Sequence, residues 1–558
     1  MPLAERIITE IPLSKRGINM YDAVHDVKSG FAIRMQNCYF RRGVMGRLGY
    51  SRHSSEQVVT GKSIVGLHRF YFGASKQLIA AAGTLVKILN DGTGVWTAIS
   101  AITQTDGKNT FMNTWSAVNK EYISNGTDTP FSWDGTTATR LTAFPADTIM
   151  ILPYRSRLLF ISKTDPGLVR WTTTAFTDNA VITAAAALIR MTEGGQINVI
   201  TPHALAGQTE GINTWVIVAT GSSIALMFSL DFLATGGADQ TPTTKLEAVS
   251  NHVGIVSPRA VVSTPAGTIF LGSDRQVYLL PFGSFQLIPI GKFITSNTTS
   301  NKGIESIGTT DLEGAAATYH NGFYKLAVNL GGANNETQFW LDVVNLFKDD
   351  EGGWGPWYGP MIGMPPVAMF TIQNGPNDDA RLITGHGAST AFVHRANESS
   401  VFSDIEGPGT PYGVGGFGVG GFGGGGAQDI DIQYQTHHQH FMESKGIDVV
   451  INQYETEMES LDNPLGLSFR DTTGTVGAIL TINTGPPAGT FWDSANWDSF
   501  NWVSNREAVR QSDHLPDSNV RGRQLAVSLS YKSSTDRLAL FRLRLETSPL
   551  QATFQVEN

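Results

Sequence analysis

Residues 316–328 read Ala-Ala-Thr-Tyr-His-Asn-Gly-Phe-Tyr-Lys-Leu-Ala-Val, two apolar and aromatic runs on either side of Asn321-Gly322. Asn-Gly between two such runs is a strong hairpin signal, because a type I′ turn needs positive φ at both central residues. A further run at 338–343 follows after a polar stretch. This segment therefore predicts three strands in succession, each antiparallel to the one before it.

The same pattern extends outward in both directions, through roughly residues 60–400. A spacing of roughly 40–60 residues between units is that of a four-stranded propeller blade with loop insertions. We therefore predict an all-β chain containing a β-propeller, with the number of blades left open. A stack of β-sandwiches gives similar spacing in places. The predicted units begin near Ile64, Thr110, Ile151, Val199, Val256, Gly314 and Val367.

The composition agrees with many strands joined by tight turns. Glycine accounts for 60 of the 558 residues, and charged residues for only 16%, against about 25% in an average soluble protein. The net charge of −9 argues against tight wrapping of nucleic acid, which needs clustered Lys and Arg. It is compatible with DNA passing through a channel. Cys38 is the single cysteine, which excludes an intrachain disulfide.

Neither a signal peptide nor a membrane-spanning helix is predicted. The opening residues Met-Pro-Leu-Ala-Glu-Arg lack the apolar core of a signal peptide. The run at 215–233 comes nearest to a membrane span, but Gly221-Ser222-Ser223 and Asp231 interrupt it. We predict two buried strands around a turn there, and a protein folded in a reducing cytoplasm without export.

Four regions follow from these patterns. Residues 1–60 are predicted to form an N-terminal arm with short strands, and 61–410 the propeller blades. Residues 411–427 are a Gly-rich loop or linker, and 428–558 form an additional, β-sandwich-like domain. Alternatively, the C-terminal strands complete the propeller, because chain ends often close such rings.

The Gly-rich region contains two phenylalanines, Phe417 and Phe422. Glycine has no side chain to bury and loses the most entropy on ordering, so the plain interpretation is a flexible linker. The sharper hypothesis is a mobile loop whose two rings form a gate or contact a partner.

No catalytic, cofactor-binding or metal site is predicted, and we expect the protein not to be an enzyme. His437, His438 and His440 are the nearest to a metal site, but no third ligand motif accompanies the two histidines that share a strand face. Asp493 and Asp498 stand among tryptophans, an arrangement that could serve glycan cleavage, but the sequence does not reveal their separation in space.

Aromatic residues in glycine-rich or polar segments are more typical of packing and subunit contact. We take five of them as candidate interface side chains: Trp354, Trp357, Trp492, Trp497 and Trp502.

The N-terminal residues resemble the start of phage tail nozzle proteins, the tail tubular protein B family of short-tailed phages. The resemblance is carried by Gly17-Ile18-Asn19, by Ala32 to Asn37, and by Arg47-Leu48-Gly49, and further on by Trp492-Asp493-Ser494 and 521–524, Arg-Gly-Arg-Gln.

This resemblance implies a homohexameric tube in the virion tail, below a head-tail adaptor protein and assembled in the host cytoplasm. Viral DNA would pass through its lumen without sequence-specific binding. Further implied partners are a tail needle, tail fibre or spike proteins, and the host surface. The main alternative is a β-propeller that binds or cleaves glycans. Another is an intracellular propeller scaffold.

Overall fold

The regular structure is built from β-strands, and five single-turn 3-10 helices occur in the described residues: Ser116–Val118, Pro258–Ala260, Lys292–Ile294, Ile304–Ser306 and Leu312–Gly314. The computed structural model describes residues 7–23, 26–54, 56–107, 109–172, 177, 188–191, 195–203, 215–229, 244–298, 301–332, 335–363, 366–372, 381–386, 392–396, 430–436, 439–440, 449–459, 461, 463–470, 475–482, 508–514, 521–522, 524–533 and 538–549.

The strands are numbered in chain order. The first five are β1 (Ile7–Glu10), β2 (Ala32–Gln36), β3 (Cys38–Phe40), β4 (Val44–Gly46) and β5 (Tyr50–Arg52). The next sixteen are β6 (Ile64–Phe72), β7 (Ser75–Ala82), β8 (Leu85–Asn90), β9 (Val95–Thr103), β10 (Phe111–Trp115), β11 (Lys120–Ser124), β12 (Phe131–Trp133), β13 (Ala138–Arg140), β14 (Thr148–Tyr154), β15 (Arg157–Ser162), β16 (Leu168–Trp171), β17 (Leu188–Arg190), β18 (Ile197–His203), β19 (Trp215–Thr220), β20 (Ile224–Ser229) and β21 (Thr244–Ser250). Then come β22 (Val261–Thr264), β23 (Gly267–Leu271), β24 (Val277–Leu280), β25 (Ile288–Pro289), β26 (Asn297–Thr298), β27 (Asn301–Lys302), β28 (Ala316–His320), β29 (Phe323–Val328), β30 (Thr337–Asp342), β31 (Phe347–Lys348), β32 (Trp354–Gly355), β33 (Trp357–Ile362), β34 (Pro366–Ile372), β35 (Arg381–His386) and β36 (Val393–Ala396). The C-terminal strands are β37 (Ile430–Thr436), β38 (Gln439–His440), β39 (Val449–Glu459), β40 (Leu465–Arg470), β41 (Thr475–Ile482), β42 (Ala508–His514), β43 (Arg521–Gly522), β44 (Gln524–Ser533) and β45 (Ala539–Pro549).

A β-propeller occupies the middle of the chain. Its seven four-stranded sheets, here called blades one to seven, are β6–β9, β10–β13, β14–β17, β18–β21, β22–β25, β28-β29-β30-β33 and β34-β35-β36-β5. The first strand of each blade contacts the first strand of the next, and β34 contacts β6, so the ring is closed. The all-β propeller prediction is confirmed, and closure of the ring excludes a stack of sandwiches in this region.

The hairpin at Asn321-Gly322 has the predicted turn. Asn321 has φ +52° and Gly322 φ +87°, the positive values that a type I′ turn requires. The run at 215–233 also behaves as predicted, because β19 and β20 pair around Gly221-Ser222-Ser223. Among the described residues, no helix is long and apolar enough to cross a membrane.

An N-terminal strand closes the ring, which corrects the alternative that the C-terminal strands do so. β5 is the outer strand of blade seven, with Tyr50 opposite Ala396. Arg395 Nε donates a hydrogen bond to Ser51 Oγ (2.9 Å), and the Arg52 guanidinium lies 3.9 Å from the Phe392 ring centre. Because β5 precedes β6 closely in the chain, pairing it with blade seven ties the first blade to the last.

The additional domain is a sandwich of two sheets. One has seven strands in the order β3-β4-β45-β39-β42, with β1 also on β45 and β43 also on β39. The other has six strands in the order β2-β37-β44-β40-β41, with β38 also on β44. Gly46 of the first sheet lies against Ile432 of the second, and the inner faces of both belong to one hydrophobic core. Each sheet therefore combines strands from both ends of the chain, so the described residues of the segment 1–60 do not form a separate arm.

The sandwich packs on blade six. β2 and β3 contact β33, the outer strand of that blade. Tyr39 of the sandwich meets Phe323 (5.6 Å between ring centres) and Trp340 (5.8 Å) of the blade. The apolar side chains at this contact share one core with blades five and six, so the two units are joined by a packed interface.

Candidate functional site

The propeller has a narrow central channel, lined by the first strands of its blades. The cavity there has a volume of about 220 Å³ and is lined by residues such as Gly66, Asn113, Thr201 and Arg259. Pockets for drug-sized ligands usually have volumes of about 300–1,000 Å³. The cavity is therefore smaller than a pocket that holds a drug-sized ligand.

Arg259 spans this channel. It belongs to the 3-10 turn before blade five, and its Nη2 donates hydrogen bonds to Val65 O of blade one (2.6 Å) and to Asn109 Oδ1 (2.5 Å). Burial lowers the pKa of the Arg259 guanidinium to about 10, so the group remains charged at neutral pH. The Arg259 side chain runs from the turn before blade five to blade one, and it therefore narrows the channel further.

A buried carboxylate lies between blades one and two. Glu121 on β11 has no exposed surface, and its Oε1 lies 2.7 Å from His68 Nδ1 on β6. Thr114 Oγ1 donates a hydrogen bond to Glu121 Oε2 (2.5 Å). The carboxylate of Glu121 is enclosed by the two blades, whereas the side chain of His68 is 21% exposed. Their contact joins blade one to blade two.

The joint between sandwich and propeller is built from the residues that carry the family resemblance. Gly17 has φ +82°, and a Cβ there would lie 2.1 Å from the carbonyl oxygen of Trp357. Ile18 N donates to that same oxygen (2.7 Å), and Ala32 N donates to Gly17 O (2.8 Å). Only glycine allows the chain to approach blade six this closely.

Asn37 and Arg47 form the polar centre of this joint. Asn37 Oδ1 accepts hydrogen bonds from Arg47 Nε (3.0 Å) and Ile362 N (2.7 Å), and its Nδ2 donates to Asp431 O (2.9 Å). Arg47 Nη2 donates to Ile362 O (2.7 Å), and the residue is 1% exposed. Two side chains from the N-terminal segment thus hold the end of β33 and strand β37 together.

The candidate interface tryptophans have different outcomes. Trp357 is fully buried, and its Nε1 donates to Ile290 O (2.7 Å). A side chain with no exposed surface in one chain has none to offer a neighbouring subunit, so the interface prediction is corrected for Trp357. Trp354 on β32 is partly buried against the same core and stays a candidate.

The other predicted site residues lie outside the described part of the chain: Phe417, Phe422, Trp492, Trp497, Trp502, Asp493, Asp498, His437 and His438. Of His440 the structure describes only its place in β38, opposite Gln524. In the residues that are described, no three His, Cys, Asp or Glu side chains lie close enough together to hold a metal ion.

Sequence reasoning did not find Arg259 or the pair of Glu121 and His68. The available signal was a charged residue within or beside an apolar run, such as Glu121 before Tyr122-Ile123. Such a residue is buried only if a partner compensates its charge. The charge partner of Glu121 is His68 of blade one, and Arg259 contacts Val65 of the same blade. A local sequence pattern around Glu121 or Arg259 does not identify these distant residues.

No protein-family model matches the chain, and no curated protein matches its sequence. The chain is similar in structure to Sqt1 of Saccharomyces cerevisiae, with a TM-score of 0.36 and 8% identity over 65% of this chain and 99% of that one. For YCF48 from Cyanidioschyzon merolae the TM-score is 0.35, with 8% identity over 62% and 98%. For the N-terminal domain of Nup159 it is 0.33, with 7% identity over 62% and 95%. Similarities of this size carry no argument about function. The strand pairing itself defines a β-propeller protein with a sandwich domain.

Proposed function

We propose that this protein is a structural component of a short phage tail, a homohexameric nozzle through which viral DNA leaves the particle. The observation that carries the proposal is the joint described above. Gly17, Asn37 and Arg47 belong to the N-terminal pattern that resembles the start of nozzle proteins, and all three hold the sandwich against blade six. A buried joint of this kind suits an architectural protein, whose task is to hold its domains in a fixed arrangement.

The closed propeller channel supports a lumen formed between copies. Because Arg259 bridges the cavity of one propeller, DNA would need a wider passage on the axis of a ring. Closed cyclic symmetry provides such a passage. The net charge of −9 is compatible with this role, since tight binding of DNA needs clustered Lys and Arg.

The partners in this proposal are further copies of the chain, a head-tail adaptor protein above the ring, and needle, fibre or spike proteins below it. The role is structural and not catalytic. The protein would act in the virion tail after assembly in the host bacterial cytoplasm.

Native mass measurement and electron microscopy of the full chain test the proposal, with the chain alone and mixed with its adaptor. We expect a six-fold ring whose central hole admits duplex DNA. A chain that remains single in both preparations would overturn the proposal.

A glycan-binding propeller is the second candidate, and an aromatic cluster at blades four and five favours it. The Trp215 ring lies 5.1 Å from Phe285 and 5.7 Å from Phe228, and Phe285 is 43% exposed. Flat aromatic faces with one exposed side are suited to stacking against sugar rings. Binding of host envelope polysaccharide that Trp215→Ala abolishes would favour this candidate, and absence of binding would count against it.

A further inference from the structure

In the described part of the chain, two different strands form the outer edges of the seven-stranded sheet of the sandwich. β1 lies on one outer edge, paired with β45, and β42 lies on the opposite edge, paired with β39. Within the described residues, neither strand pairs with any further strand. A strand at such an edge has one row of backbone N–H and C=O groups free to pair with another chain.

Charges alternate across the outer face of this sheet. Glu10 of β1 lies 3.7 Å from Arg544 and 3.9 Å from Arg542, both on β45. These arginines in turn lie 3.5 Å from Glu455 and 3.7 Å from Glu457, both on β39. The order from β1 to β39 is therefore acidic, basic, acidic.

Residue 510 of β42, an arginine, is in register with Glu457, and residues in register on neighbouring strands belong to the same face of a sheet. A strand added beyond β42 would continue the order with an acidic residue at the same level. β1 of another copy carries such a residue, Glu10, and it also carries Ile8, whose side chain is 68% exposed. Opposite charges on neighbouring strands stabilise their pairing, and like charges oppose it.

We propose that β1 of one copy pairs with β42 of the next, so that this sheet continues from subunit to subunit around the ring. The two edges differ, so the contact is head-to-tail, and repeating it generates a closed ring when the rotation closes. This inference rests on the proposed function, and it names the surfaces and the partner, a second copy of this chain.

Cysteine cross-linking tests the pairing in the full-length protein. Glu10→Cys and Arg510→Cys are introduced together, and the assembled ring is oxidised and run on a denaturing, non-reducing gel. Within one chain β1 and β42 are separated by β45 and β39, about 14 Å at about 4.8 Å per strand. A disulfide spans only about 4.4–6.8 Å between Cα atoms. Cys38, the native cysteine, is buried, so we expect it to form no cross-links between chains.

The expected result is a ladder of covalent oligomers up to the full ring, removed by reductant. Each single variant alone should give nothing larger than a dimer. The matched control is Ile8→Cys with Glu546→Cys, which are opposite each other in the same chain. That pair should cross-link internally and give no ladder.

The outcomes separate this inference from the proposed function. A ring of full native mass without a ladder would overturn the edge pairing and leave the nozzle proposal standing. A chain that stays single would overturn both. If the double variant does not assemble, hydrogen exchange of the unmodified ring decides. Amides of β1 and β42 should exchange at least ten-fold more slowly in the ring than in dissociated chains, and equal rates would overturn the pairing.

Discussion

Six blades of the propeller are each built from one continuous stretch of chain, whereas both sheets of the sandwich combine strands from the two ends. In a blade, each strand finds its partner across a short turn. In the sandwich, a contact such as that between Gln36 and Asp431 joins residues 395 positions apart. The two units therefore obtain their stability from different sources. The propeller depends on local hairpins and blade packing, and the sandwich depends on the joint that brings the chain ends together.

The largest effect is expected at the joint. Arg47→Ala removes the hydrogen bond that the guanidinium donates to Ile362 O and creates a cavity beside Asn37. We expect a loss of about 3–4 kcal/mol in the free energy of unfolding, measured by urea denaturation. Arg42 is exposed, and Arg42→Ala should cost less than about 0.5 kcal/mol. Equal losses for the two variants would show that the joint does not carry this stability.

A pair of glycines sharpens the comparison. Gly17 and Gly61 both have positive φ, but a Cβ on Gly61 would meet nothing within 4 Å, whereas one on Gly17 would strike Trp357 O. Gly61→Ala should therefore cost about 1 kcal/mol for the backbone alone, and Gly17→Ala about 3 kcal/mol. Thermal unfolding of the two variants measures the difference. Similar shifts in Tm would mean that the backbone around Gly17 and Trp357 moves apart to accommodate a methyl group at little cost.

A fall in pH should destabilise the propeller in part through protonation of His203. Burial lowers the pKa of His203 to about 4, and its Nδ1 shares a hydrogen bond of 2.8 Å with Thr268 Oγ1. A histidine whose pKa is lower in the folded state stabilises the fold above its ordinary pKa of about 6.5, and this stability is lost as the pH falls below that value. We expect protonation of His203 to contribute about 2 kcal/mol to the loss of stability between about pH 7.5 and pH 5.

The free energy of unfolding measured across this pH range checks the prediction. His203→Gln cannot be protonated, so the variant should lose about 2 kcal/mol less than the parent over the same interval. Parallel pH profiles for the two proteins would contradict it.

The smallest effect is expected at the closure of the ring. Arg52→Ala removes the cation–π contact with Phe392 and should cost about 1 kcal/mol. Hydrogen exchange in β5 should become faster, because this strand ties blade seven to blade one. Arg155→Ala is the control, since its guanidinium lies 5.5 Å from the ring of Tyr154 in its own hairpin. Unchanged exchange in β5 would show that the closure does not depend on Arg52.

The same contrast explains how far sequence reasoning reached. The strands Ala316–His320 and Phe323–Val328 were predicted with their observed bounds, because alternation and turn residues are local signals. The starts of the blades were also predicted within a few residues. The place of β5 in blade seven was not predicted. A strand of only three residues carries no sequence signal for its pairing with the distant strand β36.

Residues 1–60 show the limit most clearly. Their strands β1 to β4 enter two different sheets, and Arg47 is buried although arginine is usually exposed. Nothing in the local pattern distinguishes Arg47 from the exposed Arg41 and Arg42 nearby. The difference arises from Asn37 and Ile362, which approach Arg47 only in the folded chain.

The sequence by itself determined the all-β class, the hairpins, the approximate starts of the blades and the absence of an intrachain disulfide, because each depends on residue type and short spacing. The tertiary structure alone decided the number of blades, their closure by β5, the composition of the sandwich, and the bridging of the channel by Arg259. These depend on pairings between distant segments. Their free energy comes from burying complementary surfaces and satisfying buried polar groups, which no single segment can do alone.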